Sequence, residues 1–166
     1  TSTLGKGTRF EVSMERAAGA AMHPRNAYGE AAHGALADTG LLVMIVENDH
    51  DLRSALVQTI ESWGVDTLEA ETAEAAIHLL DDIGLLPDVA VLDHQLGDGA
   101  TGLDLARHLQ TAAPEVTSCI LSADRSAELR LACGTLGLPL MQKPVDTVAL
   151  RAFLRSVAQA DCQAVN

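Results

Sequence analysis

The sequence predicts an α/β fold, a parallel sheet with helices on both faces. Three observations predict it. Apolar runs of strand length alternate with stretches of helical period five times over about 118 residues, from 41 to 158. The first of those runs, Leu41 to Val46, is unbroken, as in a strand covered on both faces. Hydrophobic residues make up 48% of the chain but aromatic residues only 2%, so the core must be built from Leu, Val, Ile and Ala. Right-handed crossovers leave few other ways to connect such units.

The elements follow in order. After the strand at 41–46, residues 51–63 carry Leu52, Leu56, Ile60 and Trp63 at helical spacing, and Gly64 ends the helix. Val65–Glu69 is a short second strand. Residues 73–83 place Ala73, Ala76, Ile77, Leu80 and Ile83 on one helical face. Pro87 precedes a third strand, Asp88–Leu92. Residues 102–112 turn Leu105, Ala106 and Leu109 inward and stop before Pro114. Val116–Leu121 is the fourth strand. Residues 126–136 repeat the helical period through Leu129, Ala132, Cys133 and Leu136. Leu138–Gln142 is a fifth, short strand, and residues 147–158 a last helix on Leu150, Phe153, Leu154 and Val157.

Composition narrows the function. The 166 residues suit one domain with appendages. The net charge of −12 repels phosphate backbones and anionic lipid, and the shortage of aromatic rings disfavours base stacking, so no nucleic-acid partner is expected. Residues 1–40 are neutral and residues 41–166 carry the whole excess of acid, a hint of separate origins. Cys119, Cys133 and Cys162 are odd in number and lack metal spacing, which fits a reducing cytoplasm. No apolar run approaches the ~18 residues of a membrane span, and the N-terminus lacks the apolar centre of a signal peptide.

The first forty residues read differently from the rest. Residues 8–14 alternate apolar with polar at Phe10, Val12 and Met14, a half-buried strand pattern that cannot bury its face alone. In residues 15–40, thirteen of 26 positions are Ala or Gly, and His23-Pro24 interrupts them, as in a linker. The expected organisation is therefore a remnant of another domain at 1–14, a linker at 15–40, a globular domain at 41–160 and a tail at 161–166.

In a parallel α/β sheet, ligands bind at the carboxyl ends of the strands. Here strand one ends in Glu47-Asn48-Asp49, strand three in Asp93, strand four in Ser122 and strand five in Lys143-Pro144. Polar residues are common at wet strand ends, so one such position carries little weight; four delivering acid, acid, hydroxyl and amine carry more. Oxygens converging on one point make a hard-cation site that suits magnesium. A central Asp can attack phosphorus once a metal and a lysine offset the repulsion between anions. The lysine is a point charge for a phosphoryl oxygen, and the serine can hydrogen-bond another.

The segments Val-Met-Ile-Val-Glu-Asn-Asp-His-Asp-Leu-Arg (43–53), Val-Leu-Asp (91–93), Leu-Ser-Ala (121–123) and Gln-Lys-Pro-Val (142–145) resemble the receiver domains of two-component response regulators. The resemblance covers about residues 41–158. It implies a flavodoxin-like, doubly wound five-stranded parallel sheet of order 2-1-3-4-5 with five flanking helices. It also implies that Asp93 is the phosphoacceptor, and that Glu47, Asn48, Asp93 and the Gln95 carbonyl hold a magnesium ion. Ser122 then matches the switch hydroxyl and Lys143 the invariant lysine, with a cis bond before Pro144. Gly5 to Val12 resembles the end of the ATP-binding domain of histidine kinases, and a P-loop is excluded because Gly7 follows Lys6 where Ser or Thr is required. A kinase tail, a linker and a receiver, in that order, resemble the C-terminus of a hybrid sensor histidine kinase. The implied partners are a histidine-kinase core or a histidine phosphotransfer domain, with a homodimer also considered. The implied place is the cytoplasm, without direct membrane contact by this fragment, although the full-length protein is compatible with membrane association.

Three departures qualify the resemblance. Asn48 stands where an acid is usual, and one charge at ~4 Å is worth at most about 4 kcal/mol at an effective dielectric of 20, so weaker magnesium binding is expected. The loop at 94–102 is about one residue longer than usual and carries Gly97, Gly99 and Gly102, with Asp98 read as a turn residue. Leu140 stands where many receivers place a switch aromatic. His50, His78, His94 and His108 share no metal spacing and read as solvent or capping residues, His94 being noted for its place beside Asp93. Cys119 and Cys133 read as core thiols, Asp146 as a helix cap and Trp63 as a packing anchor. The alternative to a phosphorelay receiver is an unphosphorylated pseudo-receiver acting as an interaction module. An aspartate-nucleophile phosphatase is disfavoured by Gln95 at the place of a second Asp.

Overall fold

The computed structural model describes residues 36, 37, 39–97 and 99–164. The segment read as a kinase remnant (1–14), residues 15–35 of the linker, and Asp98 lie outside the described residues.

Among the described residues, five strands alternate with five helices: β1 (Leu42–Val46), α1 (His50–Glu61), β2 (Asp66–Ala70), α2 (Ala73–Ile83), β3 (Val89–Asp93), α3 (Gly102–Ala112), β4 (Thr117–Ser122), α4 (Ala127–Thr135), β5 (Leu140–Gln142) and α5 (Thr147–Ala164). All four pairings are parallel and the order is β2-β1-β3-β4-β5. The expected fold class and order are those observed.

Strand alternation divides the core in two. Met44, Val46, Ala90, Leu92 and Ile120 face α2, α3 and α4, meeting Leu80, Leu105, Leu109 and Leu129. Val43, Ile45, Val89, Val91, Cys119 and Leu121 face α1 and α5, meeting Leu56, Ile60, Leu150 and Leu154. Burying each such Leu or Ile is worth roughly 1.5–3 kcal/mol before entropy is counted. Leu36 is fully buried in the second cluster beside Trp63, so the packed unit starts at least five residues before Leu41. Ala37 lies so close to Gly64 (φ +79°) that a Cβ there would stand 2.6 Å from the Ala37 Cβ.

Local chemistry sets the helix starts. Asp49 caps α1 by accepting from the N–H groups of Asp51 (3.0 Å) and Leu52 (3.1 Å). Thr72 caps α2 and Ser126 caps α4. Thr101 and Asp104 form a reciprocal capping box on α3. Asp146 accepts from Val148 N–H at 2.9 Å and so caps α5, as expected. Several bounds differ from the sequence expectation by one or two residues. The larger difference is α5, whose backbone continues to Ala164 instead of stopping at 158.

Candidate functional site

The site is assembled by the ends of β1, β3 and β5. β1 delivers Glu47 one residue past its last pairing, where the Glu47 N–H still donates to the Ala70 carbonyl at 3.1 Å. The Glu47 carbonyl accepts from Arg53 Nη1 at 2.6 Å, and Arg53 Nε reaches Glu69 Oε2 at 3.3 Å. An arginine one turn into α1 thus pins the backbone at the carboxylate, a role the sequence reading missed. Arg53 one turn after the Asp49 cap was the available signal.

Asp93 is the last residue of β3, and the Gly102 N–H donates to the His94 carbonyl at 3.2 Å just beyond it. A Cβ built on Gly102 would overlap the Asp93 carbonyl oxygen and stand 2.9 Å from its carbon. Gly102 is required by this close approach of α3 to β3.

Lys143 joins the two acids. Its Nζ lies 2.7 Å from Glu47 Oε2 and 2.9 Å from Asp93 Oδ1. Glu47 and Asp93 are 1% and 4% exposed, so two nearly buried carboxylates share one ammonium. Burial pushes the Glu47 carboxyl above its usual range, the Lys143 hydrogen bond opposes this, and the neighbouring Asp93 adds to the rise. Burial alone would lower the Lys143 ammonium, but hydrogen bonds to Glu47 and Asp93 outweigh it and hold that group above its ordinary value. The Lys143–Pro144 bond is cis.

A cavity of about 730 Å³ opens in front of this cluster. Glu47, Asn48, Asp93, Gln95 and Lys143 all line it. The carboxylate and amide groups of these side chains carry hard oxygen donors. Among the described residues no group of three or more His, Cys, Asp or Glu side chains is placed to hold a metal. Asp49 lines the same cavity, but its side chain is engaged in capping α1.

Ser122 stands apart. It is 1% exposed, does not line the cavity, and its Oγ accepts from the Asp124 N–H at 3.0 Å. It continues the alternation of Ile120, on the α2–α4 side of the sheet. His94 lines the cavity, with its Nδ1 buried and without a hydrogen-bond partner among the described residues. Leu140 is half-buried against the α2–α4 core. Cys119 and Cys133 are buried free thiols, as expected, with burial pushing the Cys119 thiol up to about 12.

Fold and site together define a receiver of two-component signalling. Residues 43–155 match the response regulator receiver domain, and the chain belongs to that family. Among curated proteins, a cyclic di-GMP phosphodiesterase of Thermotoga maritima is 29% identical over 112 residues, covering 67% of this chain and 29% of that protein. The chain therefore spans less than a third of that relative. Among solved structures, the receiver domain of the Francisella response regulator 1452 aligns with a TM-score of 0.65 at 21% identity, covering 73% of this chain and 98% of that one. A CheY-like receiver domain from Methanospirillum hungatei aligns with a TM-score of 0.68 at 18% identity, covering 75% and 98%. At these identities the solved structures support the fold alone. Among the described residues no helix is long and apolar enough to cross a membrane.

Proposed function

We propose that this receiver accepts a phosphoryl group from a phosphohistidine onto Asp93, then passes it to another histidine or releases it to water. The observation that carries the reading is the Lys143 ammonium bonded at once to Glu47 and Asp93, at the floor of an open cavity. Two carboxylates against one ammonium leave a formal charge of −1, so the site favours a second cation. Magnesium fits the donor set, and Glu47, Asp93, the Gln95 carbonyl and the Asn48 amide oxygen would hold it. Bound there, it would supply charge to offset a phosphoryl group.

The protein's own groups do the rest. Lys143 fixes the Asp93 carboxylate and offers its charge to a phosphoryl oxygen. An Asp93 oxygen attacks phosphorus as the P–N bond to the donor imidazole breaks, and that imidazole keeps the electron pair and takes up a proton. The cavity gives the donor access from solvent. Ser122 supplies a hydroxyl for another phosphoryl oxygen once it reaches the site.

The proposed partners are a histidine-kinase core or a histidine phosphotransfer domain in the cytoplasm. The N-terminal resemblance supports a place at the end of a hybrid kinase, with a second copy of the chain as a further partner. Incubation with magnesium and acetyl phosphate tests the reading by intact mass. One phosphoryl group should add to the protein, and chelator or Asp93→Asn should abolish it. A pseudo-receiver is the second reading, favoured by Asn48 in the acidic place. No mass gain from several small phosphodonors at high magnesium would establish it instead.

A further inference from the structure

Ser122 and Gln142 are direct partners in the parallel register of β4 and β5. The Lys143 N–H donates to the Ser122 carbonyl at 2.8 Å, locking the two strand ends together. The Ser122 hydroxyl oxygen accepts from the Asp124 N–H at 3.0 Å, and the Asp124 carbonyl accepts from Gln142 Nε2 at 3.2 Å. The Asp124 carboxylate in turn accepts from the Ser126 N–H at 2.7 Å and the Ser126 hydroxyl at 3.0 Å. A side chain on β5 thus grips the loop residue whose backbone holds the Ser122 hydroxyl. In that place Ser122 is off the cavity that Asp93 and Lys143 line.

We propose that Gln142 is a positioning residue: through Asp124 it keeps the Ser122 hydroxyl parked away from Asp93, and so sets how readily that hydroxyl engages a phosphoryl group there. The inference rests on the phosphoacceptor reading of Asp93. Two features make the grip releasable. Gln142 Oε1 is buried with no hydrogen-bond partner among the described residues, so the amide is anchored at one end only. Asp124 itself is exposed, so water can replace the bonds it gives up. Leu140, on the same face of β5 two residues earlier, is apolar and cannot make this contact.

The test uses the whole chain with magnesium and beryllofluoride, a tetrahedral mimic of a phosphoryl group on a carboxylate, titrated by calorimetry. Gln142→Met and Gln142→Glu each keep the side chain's length and remove the donor. Each should bind the probe roughly 2- to 10-fold more tightly than the parent, the range expected for release of one neutral hydrogen bond. In a Ser122→Ala background the same changes should leave affinity unchanged, because a residue acting only through Ser122 has nothing left to act on. Exchange of the Asp124 amide hydrogen, read without the probe, should be faster in both variants. The inference is overturned if affinity stays at the parent value, if the gain persists in Ser122→Ala, or if Asp124 exchange is unaltered. A parent chain that binds no probe defeats the phosphoacceptor reading itself, and this inference falls with it.

Discussion

Replacing Gly102 by Ala separates local preference from tertiary constraint. Gly102 opens α3, and in a helix Ala is favoured over Gly by up to about 1 kcal/mol. The added Cβ, however, would overlap the Asp93 carbonyl oxygen and lie 2.9 Å from its carbon and 3.4 Å from the His94 Cα. Those atoms belong to the end of β3, paired with β4 through Asp93 and Leu121, and cannot yield without moving the acceptor residue. Such overpacking costs typically 1–3 kcal/mol. Gly134 in α4 is the matched control, since a Cβ there meets nothing within 4 Å. With a urea m-value of about 2 kcal/mol/M, Gly102→Ala should lower the unfolding midpoint by about 0.5–1.5 M, while Gly134→Ala should raise it by a few tenths. Phosphorylation by acetyl phosphate should drop at least tenfold for Gly102→Ala and stay at the parent level for Gly134→Ala. If Gly102→Ala were as stable as the parent and as reactive, the close approach of α3 to Asp93 would not be the constraint described here.

Three further outcomes follow from the same cluster. Lys143→Met strips the ammonium from Glu47 and Asp93; breaking a buried pair costs up to about 3–5 kcal/mol, but this cavity admits water, so about 1–3 kcal/mol is expected in urea unfolding, with magnesium restoring more stability than in the parent. Glu47 is held above its ordinary range, so the folded state grips its proton more tightly than the unfolded state. Stability should therefore fall as pH rises from about 4.5 through the folded value, in metal-free buffer, and Glu47→Gln should lose this slope and gain on the parent across that window. Asn48→Asp adds a carboxylate at the exposed rim of the cavity and should tighten magnesium about tenfold by calorimetry, well short of the ~4 kcal/mol limit for a charge at 4 Å because water screens it.

The fold was legible because the buried strands carry their burial in their composition. Every residue of β3 is buried, and Val89 to Leu92 read as an unbroken apolar run. β2 was less legible: as an edge strand it is mostly half-exposed, and buried Val65 just before it shifted the expected start by one residue. The end of α5 was missed because the apolar period fades after Val157 while the helical backbone continues. Within the site, Glu47, Asp93 and Lys143 were legible because strand ends in a parallel sheet converge on one edge. Three features depend on distances that sequence spacing does not encode. Arg53 fixes the Glu47 carbonyl across six residues, Gly102 clears the Asp93 backbone, and Gln142 reaches Asp124 across eighteen. Ser122 shows the limit of reasoning from strand ends. It closes β4 as expected, yet alternation sends it to the face opposite Val91 and Leu121.

The central claim is that the Asp93 carboxylate itself takes the phosphoryl group. Borohydride reduces an acyl phosphate to an alcohol, so reduction after incubation with magnesium and acetyl phosphate, followed by peptide mapping, locates the bond. Conversion of Asp93 to homoserine is the expected result. Phosphoryl incorporation with Asp93 unconverted, or conversion at Asp49 or Asp124 instead, would contradict it.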